Sequence, residues 1–191
     1  MKGALLWRGV MLLILTATSA ACGGDDAATE AKPCDEECRD RSAVRSLREV
    51  IKVVYNLTLQ GNDVGEQDET TRCPQGGNGR VRGVATSVAE QGASELDLTY
   101  ELNQCAYLQR DDEVDENYDI TISGVVTEQG ILAVQPTATT ALIFESDSIS
   151  LEGTVYDPPV DYAELDCALH LAQNGNHFAG NWCGRKVGLD L

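Results

Sequence analysis

The amino-acid sequence predicts a mainly β domain: an antiparallel meander of about seven or eight strands forming a barrel or half-barrel, with one helix at its N-terminal end. Three observations lead there. Apolar residues recur at three-and-four spacing over Val44, Leu47, Val50, Ile51, Val54 and Leu57, the pattern of one helix face. From Arg80 onward the apolar period becomes two, and nothing after residue 79 has helical spacing. Glycine- and proline-containing clusters cut this alternating stretch into short runs, as successive hairpins require.

The helix is expected over Asp35 to Tyr55. Pro33 opens the pattern, and Asp35, Glu36 and Glu37 suit a helix N-terminus, where the backbone N–H groups present partial positive charge. The β-branched run Val50 to Val54 opposes helix at the other end. Gly61 to Gly79, with Gly65, Pro74 and the Gly76-Gly77-Asn78-Gly79 cluster, reads as loop. Beyond it, Leu96, Leu98, Tyr100 and Leu102 alternate with Asp97, Thr99, Glu101 and Asn103, as in a strand with one wet face. Tyr118, Ile120, Ile122, Gly124 and Val126 alternate in the same way, as do Ile149, Leu151, Gly153 and Val155. Gln91-Gly92, Gln129-Gly130 and Asn174-Gly175 are expected as hairpin turns, and Pro136 and Asp157-Pro158-Pro159 as breaks. No internal repeat of fixed period is present.

Residues 1–21 carry Lys2 and Arg8, an apolar core Val10 to Leu15 and small residues Thr16 to Ala21, the profile of a secretory leader that is removed. Its apolar run is shorter than the roughly 20 residues that cross a bilayer. Ser19-Ala20-Ala21-Cys22 resembles the lipobox of bacterial lipoproteins, with Ser19 where Leu, Val or Ile is usual. The same small residues also satisfy ordinary leader cleavage, which would give a freely secreted protein. The resemblance implies cleavage before Cys22 and acylation of that cysteine, several acyl chains giving firm anchoring. Gly23 in place of Asp implies the outer membrane of a Gram-negative bacterium. The mature domain also resembles predicted envelope lipoproteins, a likeness that implies no activity. Residues 22–32 are small, polar and acidic and read as a flexible tether, leaving 33–191 as a single helix-plus-antiparallel-β domain.

Removing Lys2 and Arg8 lowers 14 basic residues to 12 against 31 acidic ones, a net charge near −19. Such a surface repels nucleic acid and anionic lipid, so membrane contact falls to the acyl chains on Cys22, and basic proteins or cations are the favoured partners. All seven cysteines lie at or after residue 22, and acylating Cys22 leaves an even set of six. Cys34 and Cys38, four apart on a helix, fall about 6 Å apart. Cys73 and Cys105 bracket the open end of a hairpin made of Arg80 to Glu90 and Ser94 to Gln104. Cys167 and Cys183 are expected directly opposite one another in a hairpin closed at Asn174-Gly175-Asn176, with His170 opposite Gly180. That register puts Phe178 and Trp182 on the face away from Leu169 and Leu171, which requires a second covered face or a bulge near Gly180.

The search for chemistry returns no catalytic motif, no cofactor motif and no metal motif. The Gly76 to Gly79 cluster precedes a strand and not a helix, so it reads as a turn. Asp111, Glu113, Asp115, Asn117 and Asp119 alternate in an acidic loop, but an EF-hand frame would need Gly and Glu where Glu116 and Ile122 stand. Cys167, His170, His177 and Cys183 could be drawn as a zinc set; residues three apart on a strand face opposite ways, which favours a disulfide instead. Tyr156, Tyr162 and Trp182 are candidates for a ligand mouth near Pro158-Pro159. Two function classes follow. The first is a lipid-anchored, non-enzymatic envelope protein acting in structure, interaction with a protein, or carriage of an apolar small molecule. The second is an exported hydrolase or metal-dependent enzyme using acids from several strands, such as Asp161, Glu164 and Asp166. A cavity lined only by Leu, Val and Tyr would favour carriage, a filled barrel core would favour the structural role, and two buried carboxylates facing one cleft would favour the enzyme.

Overall fold

The computed structural model describes residues 34–61, 64–111, 116–135, 138–156 and 158–191. Leader, tether and Cys22 lie outside the described residues. One helix, α1 (Glu36–Thr58), is followed by strands β1 (Gly65–Arg72), β2 (Asn78–Val88), β3 (Ala93–Gln109), β4 (Tyr118–Ala133), β5 (Ala141–Val155), β6 (Val160–Asn174), β7 (His177–Trp182) and β8 (Arg185–Asp190). A 3-10 turn, Ala89–Gln91, joins β2 to β3. The strands form one antiparallel sheet in sequence order. Because β1 and β8 are its two ends and do not pair with each other, the sheet is an open half-barrel curled around the helix and not a closed barrel.

The helix starts where the Asp35 carboxylate accepts a hydrogen bond from the Cys38 N–H at 3.1 Å, an N-cap that satisfies one orphan donor. Val44, Leu47, Val50, Ile51 and Val54 are buried against the sheet, whereas Leu57 is exposed and the helix runs on to Thr58. Burial of the β-branched stretch explains why its weak helix propensity does not end the helix early. Close approach is built in: a Cβ on Gly79 would lie 2.8 Å from Val54. At the other end of the helix Asp40, 4% exposed, holds Arg185 of β8 through two hydrogen bonds of 2.6 and 2.8 Å. Tyr162 donates to the same carboxylate at 3.4 Å and accepts from the Trp182 indole at 2.9 Å.

The curl comes from interruptions of the ladder that exchange even for odd positions on the inner face. In β3, Leu96, Leu98, Tyr100 and Leu102 point inward, then Cys105; in β5, Leu142, Phe144 and Ser146, then Ile149 and Leu151. In β6 the inner set changes from Tyr162 to Leu169 and Leu171 across Asp166, leaving Leu165 exposed. Gln104 and Asp166 adopt positive φ at these points. Their N–H groups, freed from the ladder, donate to Ser123 and Ser150 at 3.0 and 3.1 Å. Bulges of this kind bend a strand and increase its twist.

Four sequence expectations are corrected. Residues 65–72 form a strand and not loop: GEQDETTR lacks apolar alternation because β1 is an edge strand with little burial on either face. Gln129-Gly130 lies inside β4, where Gly130 at φ +124 passes Ala141 so closely that a Cβ would sit 2.2 Å from its carbonyl oxygen. The β6–β7 turn is the two-residue Gly175-Asn176 loop, pairing Asn174 with His177 and Leu169 with Trp182. His170 therefore opposes Asn181, not Gly180, and Cys183 lies one position beyond the ladder, its N–H donating to the Ala168 carbonyl at 3.1 Å. With that one-residue change Phe178 and Trp182 join Leu169 and Leu171 on the buried face, and no second covered face is needed.

Candidate functional site

Three disulfides join Cys34 to Cys38, Cys73 to Cys105 and Cys167 to Cys183, with Cα separations of 5.3, 5.3 and 4.8 Å. The cysteines of the drawn zinc set thus hold each other. Its histidines lie apart: His170 is hydrogen-bonded to Glu145 at 2.7 Å, and His177 to Asp190 at 3.0 Å, both on the exposed surface. Tyr162 and Trp182 are buried and bonded to one another, and Tyr162 borders a small polar pocket of about 200 Å³ with Asp40, Asp161 and Glu164; Tyr156 instead supports the Arg110 guanidinium at 3.6 Å. Asp161 and Asp166 are exposed, and Glu164 is paired with Arg185. In the acidic loop Glu116 pairs with Arg41 and Arg45, while Asn117 and Asp111 hydrogen-bond across the loop at 2.8 and 3.1 Å.

The feature that reasoning from sequence did not single out is Glu128. Inward-facing Tyr118, Ile120, Ile122 and Val126 set the parity of β4, and extending it two residues places Glu128 on the same buried face. It pairs with Leu98 on β3 and Phe144 on β5 and is 5% exposed. The Tyr100 hydroxyl donates to its Oε2 at 2.6 Å. Desolvation pushes the carboxyl up to about 7, against the opposing pull of the Tyr100 hydrogen bond and of Arg48. Burial likewise raises the Tyr55 hydroxyl, with the Glu128 charge adding to the effect, and Tyr100 is raised well above the ordinary range.

Glu128 lies at the wall of a cleft of about 760 Å³ between the C-terminal half of α1 and the ends of β4, β5 and β6. Ile51, Leu132, Leu142 and Phe144 give it apolar wall, and Arg48, Lys52, Tyr55 and Gln173 polar groups. This size and mixture are those of a small-molecule site. The surrounding connections are tied in place: the Val134 and Gln135 N–H groups donate to the Gly92 carbonyl at 2.8 and 2.9 Å, and the Gly175 N–H to that of Thr140 at 2.8 Å. Buried Asp40 belongs to the ion pair at the opposite end of the helix and not to this cleft. No protein-family model, curated protein or solved structure matches the chain.

Proposed function

We propose that this chain is an exported, lipid-anchored carrier of a bacterial envelope that takes one small amphipathic molecule between its helix and its curved sheet. The observation that carries this reading is the 760 Å³ cleft, open to solvent beside a buried carboxylate. The half-apolar lining modifies the expectation of a purely apolar ligand: a body of hydrocarbon suits Leu142 and Phe144, and a polar head suits the Glu128 side. The disulfides support export, because such bonds persist in oxidising compartments. Cys22, acylated, would hold the carrier at the membrane, and the acidic tether would give it reach.

Native mass spectrometry of the protein purified from its own membrane tests carriage. The expected result is a retained small-molecule mass that disappears when Ala138→Trp fills the cleft; an empty protein under all mild conditions counts against carriage. Labelling with a fatty-acid probe tests the anchor. Label is expected on the parent and absent from Cys22→Ala, and a Cys22→Ala protein that stays in the membrane fraction rules the anchor out.

A further inference from the structure

Glu128 is a buried acid with half of its hydrogen-bonding capacity unused. Its Oε2 accepts from Tyr100, but among the described residues no donor reaches Oε1 and no cation lies within ion-pair distance. The two cations that line the cleft are already engaged: Arg48 pairs with Glu49, and Lys52 pairs with the other oxygen of that carboxylate at 3.2 Å. A buried carboxylate without a countercharge is costly, and an added cation in the same desolvated site would recover much of that cost. A ligand carboxylate would meet the Glu128 carboxylate itself, while Arg48 and Lys52 share the single carboxylate of Glu49 and keep one positive charge between them. The long-range field, set by a net charge of −17, likewise favours a cation.

Building on the carrier reading, we infer that the cleft selects amphipathic amines, a protonated amine pairing with Glu128 Oε1 while its hydrocarbon lies along Ile51, Leu132, Leu142 and Phe144. Charged and titratable groups face Glu128 from two elements: Arg48, Lys52 and Tyr55 from α1, and Tyr100 from β3. Its neighbours Phe144 on β5 and Gln173 on β6 are neutral. Both tyrosines have pKa values raised above their ordinary range and stay protonated. Glu128, near 7, is therefore the group whose charge changes between pH 6 and 8. An alkylamine is protonated throughout that window, so binding tightens as pH rises and Glu128 loses its proton.

The test titrates the exported full chain carrying Cys22→Ala with n-decylamine, n-decanol and n-decanoic acid by calorimetry. Decylamine is expected to bind at least about tenfold more tightly than decanol at pH 8, and to lose about tenfold in affinity by pH 6. Decanoate is expected to bind more weakly than decanol. Glu128→Gln should bring decylamine down to about the affinity that decanol has for the same variant, and should flatten the pH profile. Should that variant fail to fold, the pH profile of the chain with Glu128 intact decides. Decanol or decanoate binding as tightly as decylamine would overturn the amine assignment and leave the carrier reading standing. Binding of none of the three would overturn both.

Discussion

At the scale of single residues, two buried carboxylates show opposite solutions to the same electrostatic problem. Asp40 is neutralised in place by Arg185 and tied to Tyr162, so its charge is part of how the helix is held to β8. Breaking that pair removes both Asp40 hydrogen bonds to Arg185 and leaves it with Glu164, and Asp40→Ala is expected to cost about 2 kcal/mol in urea unfolding. Asp40→Ala with Arg185→Met should cost less than Asp40→Ala alone; a double variant that is worse would refute this account of the pair. Glu128 has no such partner and keeps its proton instead. Its folded pKa of about 7 stands above its ordinary 4.5, so the folded state binds the proton more tightly than the unfolded chain does. The stability it permits is full below pH 4.5 and declines as pH rises to 7. Glu128→Gln, which mimics the protonated acid, should therefore gain on the parent by about 3 kcal/mol between pH 4 and pH 8. A constant difference between the two proteins across that range would show that the carboxyl is not perturbed. Neither role was legible beforehand for a physical reason. Asp40 sits in the polar first turns of an amphipathic helix, and Glu128 beside a Gln-Gly pair that reads as a turn when the strand is ended at Val126. The cysteines were easier, since their spacing within a helix or across a hairpin limits the partners a bond can reach.

At the scale of elements, alternation located the interior strands and misjudged those places where alternation is absent or reset. β1 has no buried face to impose a pattern, so no apolar period marks it. The β6–β7 register depended on which two residues close the turn, and the choice between adjacent frames moves every side chain to the other face. Gly175 and Gly130 illustrate the difference between a glycine at a turn and one inside a strand. Gly175, at φ +60, has open space around a built Cβ, with Thr139 the nearest contact at 3.9 Å. Gly175→Ala should cost only the left-handed penalty, about 1–2 kcal/mol. At Gly130 the conformation is one that side chains rarely adopt, and the obstacle at 2.2 Å is the Ala141 backbone, which cannot rotate away. Gly130→Ala should cost at least about 3 kcal/mol and deform the β4–β5 wall of the cleft. Equal costs at the two sites, measured by denaturant unfolding, would contradict the packing described around Gly130.

At the scale of the whole molecule, the disulfides brace the places where the sheet bends. Cys105 follows the Gln104 interruption of β3 and is bonded to Cys73 in the β1–β2 turn; Cys167 follows the Asp166 interruption of β6 and is bonded to Cys183 in the β7–β8 turn. On each flank, then, a bulged strand is tied to the hairpin turn of its neighbours, and the curvature that opens room for the helix is fixed covalently. The chain-entropy account ranks the bonds by the loop each closes. Sequence separations of 32, 16 and 4 correspond to roughly 4, 3 and 2 kcal/mol respectively. The first two together approach the whole stability of a typical domain, about 5–15 kcal/mol. Paired alanine variants should therefore lose stability in the order Cys73/Cys105, then Cys167/Cys183, then Cys34/Cys38, the last pair joining residues that the helix already holds close. Reduction of all three should leave the domain marginal or unfolded at ambient temperature, as read by far-ultraviolet circular dichroism. A reduced chain that keeps its β signal and its urea midpoint would show that the curl is maintained by packing on α1 alone. If the Cys34/Cys38 variant were the least stable of the three, the loop-closure ranking itself would fall.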